Sequence, residues 1–223
     1  NHKAFKYIKT QATRASERLA EERGEAPDVS GSGRRNANLL AVAPNASSSI
    51  ICGGTSPSIE PYRANVYTHK TLSGSFQVKN KYLEELLADK KLNKTDLKNV
   101  WKDIAGNEGS VQHLDILTDD EKEIFKTANE IDQMWIVEHA AQRQDYICQA
   151  QSVNLFFTIP TATEKQEVHD EYMQYVNDVH WYGMNKLKSL YYFRTNAARN
   201  AENVNLKVQR IKLDDVECIA CEG

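Results

Sequence analysis

Three groups of residues in this chain are of types that do chemistry. Cys218-Ile219-Ala220-Cys221 forms a C-x-x-C close to the last residue, Gly223, in a polar segment that begins at Asp214. Two thiols on a flexible tether suit a shuttle that exchanges disulfides with a deeper site. A zinc half-site is the alternative, but zinc takes four ligands and no second Cys/His pair lies nearby in the sequence. A thioredoxin-type site would follow a strand at a helix start, not sit at a chain end. The acidic neighbours Asp214, Asp215, Glu217 and Glu222 do not favour a thiolate, so reactivity here rests on access.

The second group is Asn38–Gly54, N-L-L-A-V-A-P-N-A-S-S-S-I-I-C-G-G. Leu39–Ala43 reads as a short buried strand that Pro44 stops, and Asn45 to Ser49 are small residues of the kind that open a helix. A strand feeding a helix start gathers unpaired backbone N–H groups at the positive end of the helix dipole, which attracts anions. A phosphate site and an ordinary serine-capped helix both fit that pattern. The third group is the pair Tyr191-Tyr192. Neighbouring strand residues point to opposite faces, so by the residues alone these rings are packing, and a local bend is needed to bring them together.

The elements that must position these groups alternate between helix and strand. Phe5, Ile8, Ala12, Ala15 and Leu19 mark an amphipathic helix packing on a core and ending near Gly24; Ala26–Arg35 is a loop. Ser58–Pro61 (S-I-E-P) is a turn, and Ala64–Val78 a hairpin turning near Ser73-Gly74, with His69 as a surface residue on it. Tyr82–Ala88 and Thr95–Ala105 are short helices. Thr118-x-x-Glu121 is a capping box opening one long helix to about Tyr146, with Ile124, Ala128, Ile131, Trp135 and Val137 as its buried stripe. His139 and Arg143, one turn apart, are a structural or surface pair, and Cys148 an inert buried thiol. Val153–Ile159 is a strand, Thr163-x-x-Gln166 caps a helix with Val168, Tyr172, Tyr175 or Val176, Val179 and Tyr182 on one side, and L-Y-Y-F-R-T is a last strand. The fold class is α/β, with crossovers and parallel strand pairs.

At 223 residues, with 40% hydrophobic and 26% charged residues, the chain has the composition of a soluble globular protein. A net charge of −3, with both signs mixed along the chain, argues against a nucleic-acid face. No apolar run reaches the ~18–20 residues of a membrane span, there is no signal peptide, and four cysteines do not make a disulfide scaffold. A cytoplasmic setting is expected. The first residue is Asn1 rather than Met, so the chain reads as a piece of something longer.

The ordered set A-V-A-P-N-A-S-S-S-I, G-G-T-S-P-S-I-E-P-Y-R-A-N-V-Y, the N-L-F-F strand, the Y-Y strand and the cysteine tail resembles the C-terminal portion of the large (alpha) subunit of class I ribonucleotide reductase. The resemblance implies that Pro44, Asn45, Ala46, Ser47 and Ser48 hold the diphosphate of a ribonucleotide substrate, mainly through backbone N–H groups. It implies that Tyr191 and Tyr192 relay a radical between a small subunit and a catalytic cysteine. It implies that Cys218 and Cys221 re-reduce an active-site disulfide and are themselves reduced by thioredoxin or glutaredoxin. The implied fold is the C-terminal part of a ten-stranded α/β barrel (residues 1–205), incomplete without an upstream chain, followed by a flexible redox-active tail (206–223). The family's Asn-x-Cys-x-Glu-like segment, its active-site cysteine pair, its specificity site and its N-terminal nucleotide-binding cone have no counterpart here, and Cys52 and Cys148 stand in other contexts.

The implied function is therefore one part of a ribonucleoside-diphosphate reductase, inactive alone. Its partners are an upstream half, a metal-containing small subunit that supplies the radical, thioredoxin or glutaredoxin, and a ribonucleoside diphosphate; no membrane, nucleic acid or metal is bound by this part. The helix from about Thr163 to Lys188 is where small-subunit docking is expected. The alternative is a catalytically inactive remnant that only binds a partner chain.

Overall fold

The computed structural model describes residues 1–53, 55–56, 58–71, 74–161 and 163–196. The elements are α1 (His2–Arg23), a 3-10 turn (Pro27–Val29), α2 (Ala46–Ile51), β1 (Val66–Thr71), β2 (Gly74–Lys79), α3 (Lys81–Asp89), α4 (Lys94–Gly106), α5 (Asp119–Ile124), α6 (Gln133–Gln144), β3 (Leu155–Thr158), α7 (Gln166–Lys186) and β4 (Phe193–Asn196). Mixed helix and strand agree with the α/β reading. No helix among the described residues is long and apolar enough to cross a membrane.

Two hydrophobic clusters organise these elements. In the first, β1 and β2 form an antiparallel hairpin, and Val66 packs with Leu83 and Leu87 of α3, Trp101 and Ile104 of α4, and Val111, Leu114, Leu117 and Phe125. Asparagine side chains start both helices: Asn80 accepts from Tyr82 N, and Asn93 from Asp96 N. Buried Asn65 fastens the hairpin to its surroundings by donating from Nδ2 to the carbonyls of Gly109 (3.0 Å) and Phe125 (2.8 Å) and accepting from Asn80 Nδ2. The approach requires glycine at 109: φ is +84°, and a Cβ there would lie 2.4 Å from the Ala64 Cβ.

In the second cluster β3 and β4 pair in parallel, Leu155 opposite Phe193 through Thr158 opposite Asn196, with α7 as the crossover that parallel strands need. Val153, Leu155 and Phe157 pack there against Val137 and Ala140 of α6 and Val179 of α7. The inner face of α7 includes the expected Tyr172, Tyr175, Val176, Val179 and Tyr182, but Val168 is exposed. Leu39–Ala43 is extended, as expected, yet half-exposed, and it joins the stretch before β3 by a parallel bridge from Val42 to Gln151 and by Gln149 N donating to Leu40 O. Beyond it, Asn154 N donates to the Glu60 carboxylate instead.

Three other expectations need correction. The long helix from Thr118 to about Tyr146 is two helices with an irregular link at 125–132. The Thr118–Glu121 capping box is present, but a second start is built into the stripe, where the Asp132 side chain accepts from Met134 N. The break changes the register, so Ala128 and Val137 are buried whereas Ile124 and Trp135 are 75% and 62% exposed. The capping box expected at Thr163 does not form: α7 begins at Gln166 after Lys165 with no side-chain cap, and Thr163 Oγ1 meets Thr161 Oγ1 instead. On α1 the apolar stripe is only half-covered; Ile8 is exposed, and Ser16 alone is buried.

Cys148 differs from expectation as well, being half-exposed rather than buried. Its Sγ accepts from Lys9 Nζ at 2.7 Å and from Leu39 N at 3.4 Å, and its carbonyl accepts from Lys188 Nζ, so it clamps α1 to the sheet end. Burial pushes the thiol up, but the Lys9 hydrogen bond and the Leu39 and Leu40 N–H groups outweigh it and bring the pKa down to about 7.

Two outcomes follow from this packing. Gln133, 2% exposed, donates from Nε2 to the carbonyls of Ala128 (2.8 Å) and Ile131 (2.6 Å) and accepts from Phe156 N (2.8 Å). Gln133→Leu keeps the volume but strands those groups, and should lower stability by about 2–4 kcal/mol in urea unfolding; a loss within experimental error would show that the link is held by packing alone. With the other three cysteines replaced by serine, Cys148 alkylation should rise with a midpoint at about pH 7. Lys9→Met should move that midpoint upward. A depressed thiol pKa stabilises the fold at high pH, and that contribution is lost as pH falls through about 7, so Lys9→Met should flatten this part of the stability profile.

Candidate functional site

The turn 44–48 has the form its sequence demands. Pro44 ends the extended segment and Asn45 takes the position before α2, with φ −103° and ψ 42°. The Asn45 side chain makes no capping hydrogen bond, and the first helical N–H groups have no acceptor within a helix, so the donors of Ala46, Ser47 and Ser48 open the helix uncapped. The helix then closes regularly, with Ser49 N donating to Asn45 O at 3.0 Å and Cys52 N to Ser48 O at 2.9 Å. Pro44, Asn45 and Ser48 are exposed. From the S-I-E-P turn, Ser58 Oγ donates to Ala43 O at 2.8 Å, pinning the base of this turn.

Tyr191 and Tyr192 lie just before β4 and not within it, although their backbones already pair with the neighbouring chain: Tyr191 N donates to Val153 O (3.0 Å) and Leu155 N to Tyr192 O (2.9 Å). Being outside the regular pleat, the two side chains need not alternate. Their ring centroids are 4.1 Å apart with planes tilted by 50°, and both rings are about half-exposed. The Tyr191 phenol is pushed above its ordinary value, first by its hydrogen bond with the Tyr192 hydroxyl and then by the charge that Tyr192 would carry, while the Arg194 guanidinium pulls it down.

Behind the pair lies a buried polar group that sequence reasoning did not single out. Glu60 is 8% exposed; its Oε1 accepts from Asn154 Nδ2 at 2.5 Å and Asn154 N at 3.4 Å. Burial raises the Glu60 carboxyl more than the Asn154 hydrogen bonds and the Arg63 and Arg194 guanidiniums lower it. Burial and the facing Arg194 charge in turn lower Arg63, whose guanidinium lies 5.5 Å from the Phe156 ring centroid. Arg194 lies 5.1 Å from the ring centroid of Tyr192. The only local signal was the acidic residue in S-I-E-P with Arg63 three positions on; Asn154 is 94 residues away.

The remaining candidates separate. His139 is exposed, while Arg143 is buried and donates from Nε to Gln151 Oε1 at 2.6 Å; burial lowers its pKa to about 10. That arginine is structural. Both residues line a cavity of about 430 Å³ that Ser56, Ser58, Glu60 and Trp135 also border. Among the described residues no group of three or more His, Cys, Asp or Glu is placed to hold a metal ion. Cys218 and Cys221, and the boundary at 205–206, lie outside the described residues.

Comparison with known proteins converges on one family. The family described as ribonucleotide reductase, barrel domain, matches residues 27–193. The ribonucleoside-diphosphate reductase large subunit of Invertebrate iridescent virus 3 is 43% identical over 227 residues, covering 100% of this chain and 34% of that protein. The subunit of the same name from Invertebrate iridescent virus 6 is 44% identical over 189 residues, covering 84% of this chain and 19% of its own length. A solved structure, the Actinobacillus ureae class Id ribonucleotide reductase alpha subunit, superposes with a TM-score of 0.70 at 40% identity, covering 88% of this chain and 34% of that one. The chain spans about a third of the length of the curated relatives that it matches most fully. With the barrel-domain match running from the loop before the turn 44–48 through the tyrosine pair, the chain belongs to the ribonucleotide reductase large-subunit family.

Proposed function

We propose that this chain serves a ribonucleoside-diphosphate reductase as the part of the large subunit that binds substrate phosphate, relays a radical and re-reduces a disulfide. The observation that carries the reading is the tyrosine pair: two half-exposed phenols on adjacent residues with ring centroids 4.1 Å apart. A phenol gives up an electron and a proton together when an acceptor for the proton is in place. When Tyr192 is the phenoxyl radical, Tyr191 O–H supplies one hydrogen nucleus and one electron to the neighbouring ring; Tyr192 returns to phenol and Tyr191 becomes the radical. Charge and atoms balance without a further reactant within the pair, and the first oxidation is assigned to the radical of a metal-containing small subunit.

The turn 44–48 supports the substrate role, because uncapped N–H groups at a helix start suit a diphosphate. The parallel β3–α7–β4 unit is the kind of piece from which an α/β barrel is assembled, and in this reading an upstream chain completes the ten strands and brings the catalytic cysteine. Cys218 and Cys221 take the shuttle role, with thioredoxin or glutaredoxin as reductant and the cytoplasm as the setting. Alone the chain is inactive.

Reconstitution tests the reading: the chain is combined with the remainder of a large subunit and a small subunit, and reduction of a ribonucleoside diphosphate is followed. Tyr191→Phe and Tyr192→Phe should each lower turnover by more than about a hundredfold, since phenylalanine has no phenolic proton to move with the electron. Unchanged turnover would remove the relay role. A parent chain that assembles without any turnover favours a partner-binding remnant instead. Cys218→Ser and Cys221→Ser should abolish turnover driven by thioredoxin and leave turnover driven by a small dithiol intact. Equal loss with both reductants would show that the tail is no shuttle.

A further inference from the structure

The group around Tyr192 has more built into it than packing requires. Arg194 extends from β4 beside Tyr192, with its guanidinium carbon 5.1 Å from the ring centroid. Its Nε is enclosed and has no hydrogen-bond partner among the described residues, so nothing at that atom draws the guanidinium away from the ring. Its charge acts on two further groups, lowering the carboxyl of Glu60 and the guanidinium of Arg63. Glu60 also grips Asn154, and the two neighbours of Asn154 are the residues whose backbones pair with Tyr191 and Tyr192. One buried carboxylate is thus tied to the chain that pairs with the tyrosine segment.

We propose that Arg194 is a positioning residue for the tyrosine pair, laid over Tyr192 so that the two phenols are electronically unequal. This inference rests on the reading of Tyr191 and Tyr192 as a radical step. A cation is attracted to the electron-rich face of an aromatic ring, and that attraction weakens as the ring loses electron density. Tyr192 is therefore the harder ring to oxidise, and an electron hole shared by the pair rests on Tyr191. The exchange remains the balanced one, in which a proton and an electron leave Tyr191 for the Tyr192 phenoxyl. Arg194 touches neither transferred particle and sets only the direction of the exchange.

The test uses Arg194→Gln, which removes the charge, and Arg194→Lys, which keeps it. The phenol titrations of Tyr191 and Tyr192 are followed by NMR in the 223-residue chain labelled at the tyrosine Cζ, with the two resonances assigned from Tyr191→Phe and Tyr192→Phe. Because Arg194 pulls the Tyr191 phenol down, Arg194→Gln should make Tyr191 titrate at higher pH, and Arg194→Lys should stay close to the parent. An arginine whose charge does not reach the phenols would leave the titration where it is. In the reconstituted enzyme Arg194→Gln should slow turnover about two- to fivefold, the scale of a partly exposed cation–π contact, with rescue by Arg194→Lys. If the tyrosine variants are inactive while Arg194→Gln changes neither titration nor turnover, this inference alone is overturned. If both tyrosine variants turn over like the parent, the relay reading fails and takes the inference with it.

Discussion

Everything near the tyrosine pair depends on how the second edge of β3 is closed. A parallel strand presents alternate N–H groups to its two sides. On one side Leu155 N reaches the Tyr192 carbonyl; on the other, Asn154 N and Phe156 N meet no strand among the described residues. Two side chains take the place of a strand there, Glu60 at Asn154 and Gln133 at Phe156. An unpaired buried N–H costs on the order of 1–3 kcal/mol, so these contacts hold the register of β3. They also fix what lies beyond it, because the register of β3 decides which carbonyl meets Tyr191 N.

This closure connects the two halves of the candidate site. Glu60 stands two residues after Ser58, whose hydroxyl pins the base of the turn 44–48 through the Ala43 carbonyl. A single short turn therefore constrains the helix start at Ala46 on one side and the tyrosine strand on the other. The same turn carries Arg63 to Phe156. A displacement of S-I-E-P would reach the turn 44–48 and the phenols together.

Half of this closure carries a charge, which is an expensive way to satisfy an N–H group. Gln133 does the same task as a neutral residue, with each of its side-chain polar atoms partnered. Glu60 keeps a carboxylate under burial that disfavours its ionised form, and two guanidiniums in the same region are opposed by that one carboxylate.

Local chemistry was legible in the sequence wherever cause and effect lie within a few residues. The Thr118–Glu121 capping box, the hairpin before Asn80, the helix start after Pro44 and the apolar run of β3 all follow from steric and hydrogen-bonding preferences of neighbours, and the ordered motifs were enough to identify the family. Where the sequence misled, two local signals competed. The apolar stripe from Ile124 to Val137 ran through the Asp132 cap, and the cap won because a side chain that satisfies helix-start N–H groups begins a new helix regardless of periodicity. Only the tertiary structure decided the rest. Whether Tyr191 and Tyr192 share an environment depended on the pair lying ahead of the β4 pleat; that Cys148 is a low-pKa thiol depended on Lys9, 139 residues distant; that Glu60 matters depended on Asn154, 94 residues distant. Electrostatic fields and desolvation are set by what surrounds a group in space, and chain order carries no record of it until the fold brings those groups together.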